Sequence, residues 1–245
     1  ANALSSSLIP SLSRATAEHN RKQVLIRISS AIRFSMLIAI PSAVGLTVLA
    51  KPVSDLLFWG ADNTSLTTMT RAGSLAVVFF SLSTVTNAVL QGINRMRVPI
   101  RNSAIALILH VIILAVMLFG LKLGIYSVVY ANMLFALFVC LLNGRAIARY
   151  LRYRQEIRRT FLIPSIASLF MGVVAYGTYQ LCSSLFGTMP SARISNMLST
   201  LTAVALAVLV YFVLLLKMRC VSEQELRGMP GGTRLFRAAR KLHIM

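Results

Sequence analysis

Lys and Arg fall on one side only of six long apolar stretches, and no other feature constrains the chain as tightly. The stretches run over roughly 34–58, 72–93, 102–121, 123–143, 161–186 and 194–216. With the intervening loops labelled alternately, one set holds 21 basic residues and the other only Lys51, Arg71, Lys122 and Arg193, which accounts for all 25. Such a bias marks a chain threaded six times through a membrane, with the basic loops inside. Each stretch reaches the roughly 20 residues that a hydrocarbon core of about 30 Å demands, the first by passing Lys51. None alternates with period two, which excludes a barrel reading. Backbone groups in lipid must pair within their own segment, so the expected fold is all-α, a polytopic helical bundle.

Composition agrees, with 57% hydrophobic and 13% charged residues. A net charge of +19 would suggest nucleic acid in a soluble protein. Here the charge lies in the inner loops and tail, which points to anionic membrane lipids as partners and away from nucleic acid. Cys140, Cys182 and Cys220 fit no metal or redox spacing, nor do His19, His110 and His243. No phosphate loop, nucleotide fingerprint or nucleophile constellation is present. The expectation is a protein that is not an enzyme and has neither cofactor nor metal.

Six parts follow from the charge and hydropathy pattern. Residues 1–12 read as the end of a truncated membrane helix, because Ala1 opens a small-residue run with no basic region before it. Residues 13–33 read as a cytoplasmic amphipathic connector. Residues 34–143 hold four spans, 144–160 a basic cytoplasmic loop, 161–216 a membrane hairpin, and 217–245 a basic tail, which places the C-terminus in the cytoplasm. Two segments have the pattern of helices lying on the membrane surface. In 21–33, Val24, Leu25, Ile28, Ala31 and Ile32 share a face, and in 233–244 so do Leu235, Phe236, Ala239 and Leu242. The alternative for each is a solvated connector. Ser222 and Glu225 form a capping box.

Polar groups inside the spans supply the candidate site. No Asp or Glu lies deep in any span, which argues against an acidic proton relay. The second span carries Ser83, Thr84, Asn87, Gln91 and Asn94 within an arc of about 100°. Such a stripe faces either a water-filled cavity, where it contacts a polar substrate, or a neighbouring helix. Ser83, Asn87 and Gln91 are therefore cavity candidates. His110, mid-way along the third span, is another, with a hydrogen bond to a neighbouring helix as the alternative. Asn132 stands alone on the fourth span and reads as packing. Pro41 and Gly45 interrupt the first span and are hinge candidates, or a tolerated kink. Arg95, Arg97 and Arg101 are candidates for an anion gate at the cytoplasmic face, since Arg pairs with phosphate in bidentate fashion. Their other reading is as determinants of topology alone.

Several segments together resemble one superfamily. Residues 41–52 (PSAVGLTVLAKP) with Leu56, Leu57 and Phe58 resemble the ninth helix of lipid-linked-sugar flippases. Residues 84–95 (TVTNAVLQGINR), closing at Pro99, are similar to the element that follows. Gly124 to Tyr126 and Cys140 to Asn143 resemble the twelfth helix, and 229–232 (MPGG) before a basic end resembles the tail of the stage V sporulation protein B branch. The resemblance implies the multidrug/oligosaccharidyl-lipid/polysaccharide exporter superfamily and its polysaccharide biosynthesis branch. Members have fourteen helices, two six-helix lobes around a cavity and then an extra pair. This chain would be the C-terminal half, with the N-terminal lobe missing. The implied activity is alternating-access flipping of an undecaprenyl-pyrophosphate-linked sugar or peptidoglycan precursor in the bacterial plasma membrane, for wall, polysaccharide or spore-cortex synthesis. The implied partners are that lipid-linked sugar and the missing lobe, with the last two helices as the apolar groove for the lipid tail. A drug or metabolite antiporter of the same superfamily, or a non-transporting scaffold for wall-synthesis enzymes, are the other readings.

Overall fold

A computed structural model describes residues 2–60, 62–153, 155–186 and 191–218. The capping box at Ser222 and the amphipathic segment 233–244 lie outside the described residues. Eight helices follow in order among those described: α1 Asn2–Ala17, α2 Arg21–Val48, α3 Ala50–Leu57, α4 Thr64–Gly92, α5 Arg97–Ala115, α6 Tyr126–Leu151, α7 Ile163–Phe186 and α8 Ala192–Lys217. One π-helical turn, Val116–Gly120, extends α5, and another, Arg158–Leu162, leads into α7. Six of these units are long and apolar enough to cross a membrane. The protein is a multi-pass helical membrane bundle.

α2 is the axis of the molecule. On one side it packs with α1, α4 and the inner end of α6 in a core built on Leu12, Ile28, Met36, Val85, Val89 and Leu90, all essentially without exposed surface. On the other side, Leu37 and Leu49 pack with Ala167, Met171 and Ala175 of α7 and Ala207, Tyr211 and Leu215 of α8. Two glycines permit the close approaches. A Cβ on Gly92 would sit 2.9 Å from Leu12, and one on Gly172 would sit 2.9 Å from Val44. α5 is attached mainly to α6 and turns Ile100, Leu107, Val111 and Ile112 outward.

The first span differs from its sequence reading in two ways. Residues 21–33 do not form a separate surface helix, because α2 runs unbroken from Arg21 to Val48. Asn20 caps it by accepting a hydrogen bond from the Gln23 amide at 3.1 Å. The apolar face read as membrane-facing, Val24, Ile28, Ala31 and Ile32, is buried in the first core. The interruption also falls elsewhere. The helix passes through Pro41 and Gly45 and breaks at Leu49, where α3 begins. Pro52 is the physical reason for that position: it has no N–H for the Val48 carbonyl, and its ring crowds that carbonyl. At Pro41 the same deficit is met from outside, because the Tyr211 hydroxyl of α8 donates to the Leu37 carbonyl at 2.8 Å. A second clasp joins the same two units. Asn196 of α8 donates to the Pro52 carbonyl at 3.1 Å and accepts from the Tyr179 hydroxyl at 3.0 Å. α8 thus lies antiparallel to α2–α3 and is pinned at both ends.

The loop before α4 is closed by side chains. Asn63 donates to the Phe58 carbonyl at 2.7 Å. Asp62 accepts from the Thr64 hydroxyl at 2.7 Å and from its amide at 3.1 Å, and the two bonds hold its carboxyl below the usual range.

Candidate functional site

The polar stripe of α4 divides between two neighbours. Ser83 is buried and donates to the Phe80 carbonyl of its own helix at 2.9 Å. Thr86 bonds back to Leu82 and Ser83 in the same way. Asn87 reaches across: its Oδ1 accepts from Asn143 Nδ2 of α6 at 2.7 Å. Asn143 Oδ1 in turn accepts from Asn102 Nδ2 of α5 at 2.9 Å. Three asparagines on three helices therefore form one chain of hydrogen bonds, with Asn143 wholly buried at its centre. The sequence reading missed Asn143 and placed packing at Asn132 instead. Asn132 is exposed.

On its other flank α4 faces α1. Thr84, Asn87 and Gln91 line a cleft of about 340 Å³ together with Ser5, Ser6 and Ile9 of α1. Asn87 belongs to both arrangements, while Gln91 belongs to the cleft. Hydroxyls and amides of this kind offer donors and acceptors to a polar group while carrying no charge of their own. His110 stands apart. Its ring meets Phe135 of α6 edge-on, with centroids 5.7 Å apart, and its Nδ1 is buried without a hydrogen-bond partner. The structure joins Asn87 and Gln91 in one cleft and leaves Ser83 and His110 outside it.

Arg95, Arg97 and Arg101 come together at the end of the bundle where α4 turns into α5. The turn passes through Asn94 in the left-handed region, at φ +59, which asparagine tolerates better than most residues. The three arginines line a cleft of about 630 Å³ with Tyr150 of α6. Arg101, Arg145, Arg149 and Tyr150 line an adjoining one of about 490 Å³. The Arg95 guanidinium lies 4.9 Å from the Tyr150 ring centroid. From sequence Arg145 and Arg149 count only among the charges of the basic loop 144–160, whereas they and Tyr150 sit on the last turns of α6. The signal was present as an Arg pair at i and i+4 in the last turns of α6.

Pro41 and Gly45 line a third feature, an apolar groove of about 560 Å³ between α2 and the α7–α8 pair, with Met171, Val204, Val208 and Tyr211 on its far wall. Among the described residues no three His, Cys, Asp or Glu side chains cluster closely enough to hold a metal ion.

A family model described as lipid II flippase MurJ matches residues 1–197. An uncharacterized membrane protein, YabM of Bacillus subtilis (strain 168), is 26% identical over 241 residues. That match covers 97% of this chain and 43% of the relative, so the chain spans less than half the length of the curated protein it matches.

Proposed function

The chain belongs to the lipid II flippase MurJ family, and from that premise we propose that it forms part of a flippase for an undecaprenyl-pyrophosphate-linked sugar or peptidoglycan precursor. The observation that carries the reading is the polar cleft between α1 and α4, with Asn87 and Gln91 on its wall. A pyrophosphate and its sugars cannot cross hydrocarbon unaided, because desolvating them costs far more than thermal energy supplies. A cleft of amides and hydroxyls replaces water around the sugars, and rocking of helix bundles exposes it to each side in turn. The groove between α2 and α8 supports the other half of the cargo, since its apolar wall suits a polyprenyl tail. The basic end of the bundle is the cytoplasmic one under the positive-inside rule, which places Arg95, Arg97 and Arg101 on the loading side and the C-terminus inside. The tail motif at Met229 to Gly232 favours a sporulation-type branch and a cortex or wall precursor.

The test is precursor translocation by the full-length protein in proteoliposomes. Replacing both Asn87 and Gln91 with Leu is expected to slow translocation by about tenfold or more, the effect of removing two polar contacts. Asn143→Ala removes the buried network and leaves the cleft's lining side chains in place, so it is expected to lower stability more than turnover. Equal turnover losses in the two variants would assign the effect to packing, and no translocation by the native protein would remove the flippase reading.

A further inference from the structure

We infer that the arginine-lined clefts between α5 and α6 form a built site for the phosphate groups of a membrane lipid. Arg97 and Arg101 stand one turn apart at the start of α5, and Arg145 and Arg149 one turn apart at the end of α6. Arg101 lines both clefts, and Arg95 completes the set over the face of Tyr150. No Asp or Glu is among the described residues that line either cleft. Like charges at i and i+4 repel, and here two such pairs line adjoining clefts that share Arg101.

The helix end adds to the imbalance. The N-terminus of α5 has no side-chain cap and no acidic residue in its first turn. Its macrodipole presents positive potential to two arginines already there. An oxyanion between the rungs relieves both repulsions and accepts forked hydrogen bonds that lysine cannot reproduce. Topology alone asks only for positive charge on this side of the membrane. It does not ask that five cations converge, that all five be arginine, or that one stack on a tyrosine.

A tail also has a place to lie. Ile105, Ile108 and Ile112 share Arg101's face of α5 and are 42%, 63% and 54% exposed, so an apolar strip begins at Arg101 and runs along the span. That strip separates a lipid from a free phosphate. An anionic phospholipid and a lipid-linked pyrophosphate present the same tethered oxyanions, and experiment distinguishes them. The inference concerns binding and holds whether or not the protein flips its ligand.

The full-length protein, purified in detergent, is titrated with phosphatidylglycerol, with undecaprenyl pyrophosphate or with soluble inorganic pyrophosphate, and bound ligand is counted by native mass spectrometry. Arg97→Gln/Arg101→Gln/Arg149→Gln is expected to weaken one of the two lipids by about tenfold or more, and the lipid affected identifies the source. Arg97→Lys/Arg101→Lys/Arg149→Lys keeps charge and topology and is expected to lose about threefold. A distal triple at the same end of the bundle, Arg14→Gln/Lys22→Gln/Arg158→Gln, is expected to stay within about twofold of the native protein, as exposed charges do. Equal loss in the distal and basin triples overturns the site, as does absence of lipid binding by the native protein. Soluble pyrophosphate binding as tightly as either lipid overturns the lipid assignment. Should the glutamine variant fail to fold, the lysine variant decides: affinity unchanged from native overturns the inference.

Discussion

Asn143 shows how much one amide can hold in a lipid-facing molecule. It has no exposed surface, and it joins Asn102 of α5 to Asn87 of α4. Asn143→Leu strands the buried Asn102 amide and removes the partner of the half-buried Asn87, and a stranded buried polar group costs about 1–3 kcal/mol. Thermal unfolding of the full-length variant in detergent checks this, and a midpoint equal to native would show that neither partner depends on it. Half of this arrangement was legible in the sequence. Asn87 sits in a polar arc on an apolar helix, a pattern visible in one dimension. Asn132 lies three turns before Asn143 and within about 20° of it around α6, and the partners of Asn143 are 41 and 56 residues away, so periodicity does not tell which of the two amides finds a partner. Asn132 is exposed at its level of the bundle, whereas Asn143 on nearly the same face is covered by α4 and α5.

At the scale of helices, the prolines of the first span act through the carbonyls they leave without a donor. The Leu37 carbonyl, four residues before Pro41, is served by Tyr211. Tyr211→Phe is therefore expected to destabilise the bundle by about 0.6–1.7 kcal/mol, the range for hydrogen bonds between membrane helices. In a Pro41→Ala background the new amide reaches the same carbonyl, and the Tyr211→Phe effect is expected to shrink toward zero. A double-mutant cycle on unfolding free energy measures the coupling, and an additive result would refute it. Hydropathy located this span but misplaced both its start and its break. Arg27 and Arg33 look like a boundary to a window that counts charge, whereas the helix needs only protein cover at its inner end, which α1 and α4 supply. The position of a kink depends on which carbonyl finds a donor from another helix, and that is a tertiary fact.

For the molecule as a whole, the burial of the spans is uneven. α5 is the most apolar of them, with mean hydropathy 2.6, and only 6% of its most apolar 18-residue window is buried within the bundle. Its outer face, Ile108 included, is exposed, and if that face meets lipid Ile108→Lys is expected to cost about 2.5–3.5 kcal/mol of insertion free energy. A glycosylation-based insertion assay reads that shift, and unchanged insertion would place this face against protein or water. The count of spans and their shared basic side were plain from sequence because lipid imposes both on every helix separately. The basin around Tyr150 was half plain, since Arg97 and Arg101 announce themselves but their counterparts on α6 are brought opposite only by folding. The asparagine chain also sets an order of events. Asn143 leaves the ribosome 56 residues after Asn87, roughly 3–11 s later at about 5–20 residues per second. Throughout that interval α4 has no α6 to bond, while Ser5, Ser6 and Ser13 of α1 and Thr47 of α2 are polar neighbours already synthesised. The cleft is thus available from the moment α4 enters the bilayer, and the bond that closes its far side arrives only with the fourth of the six spans.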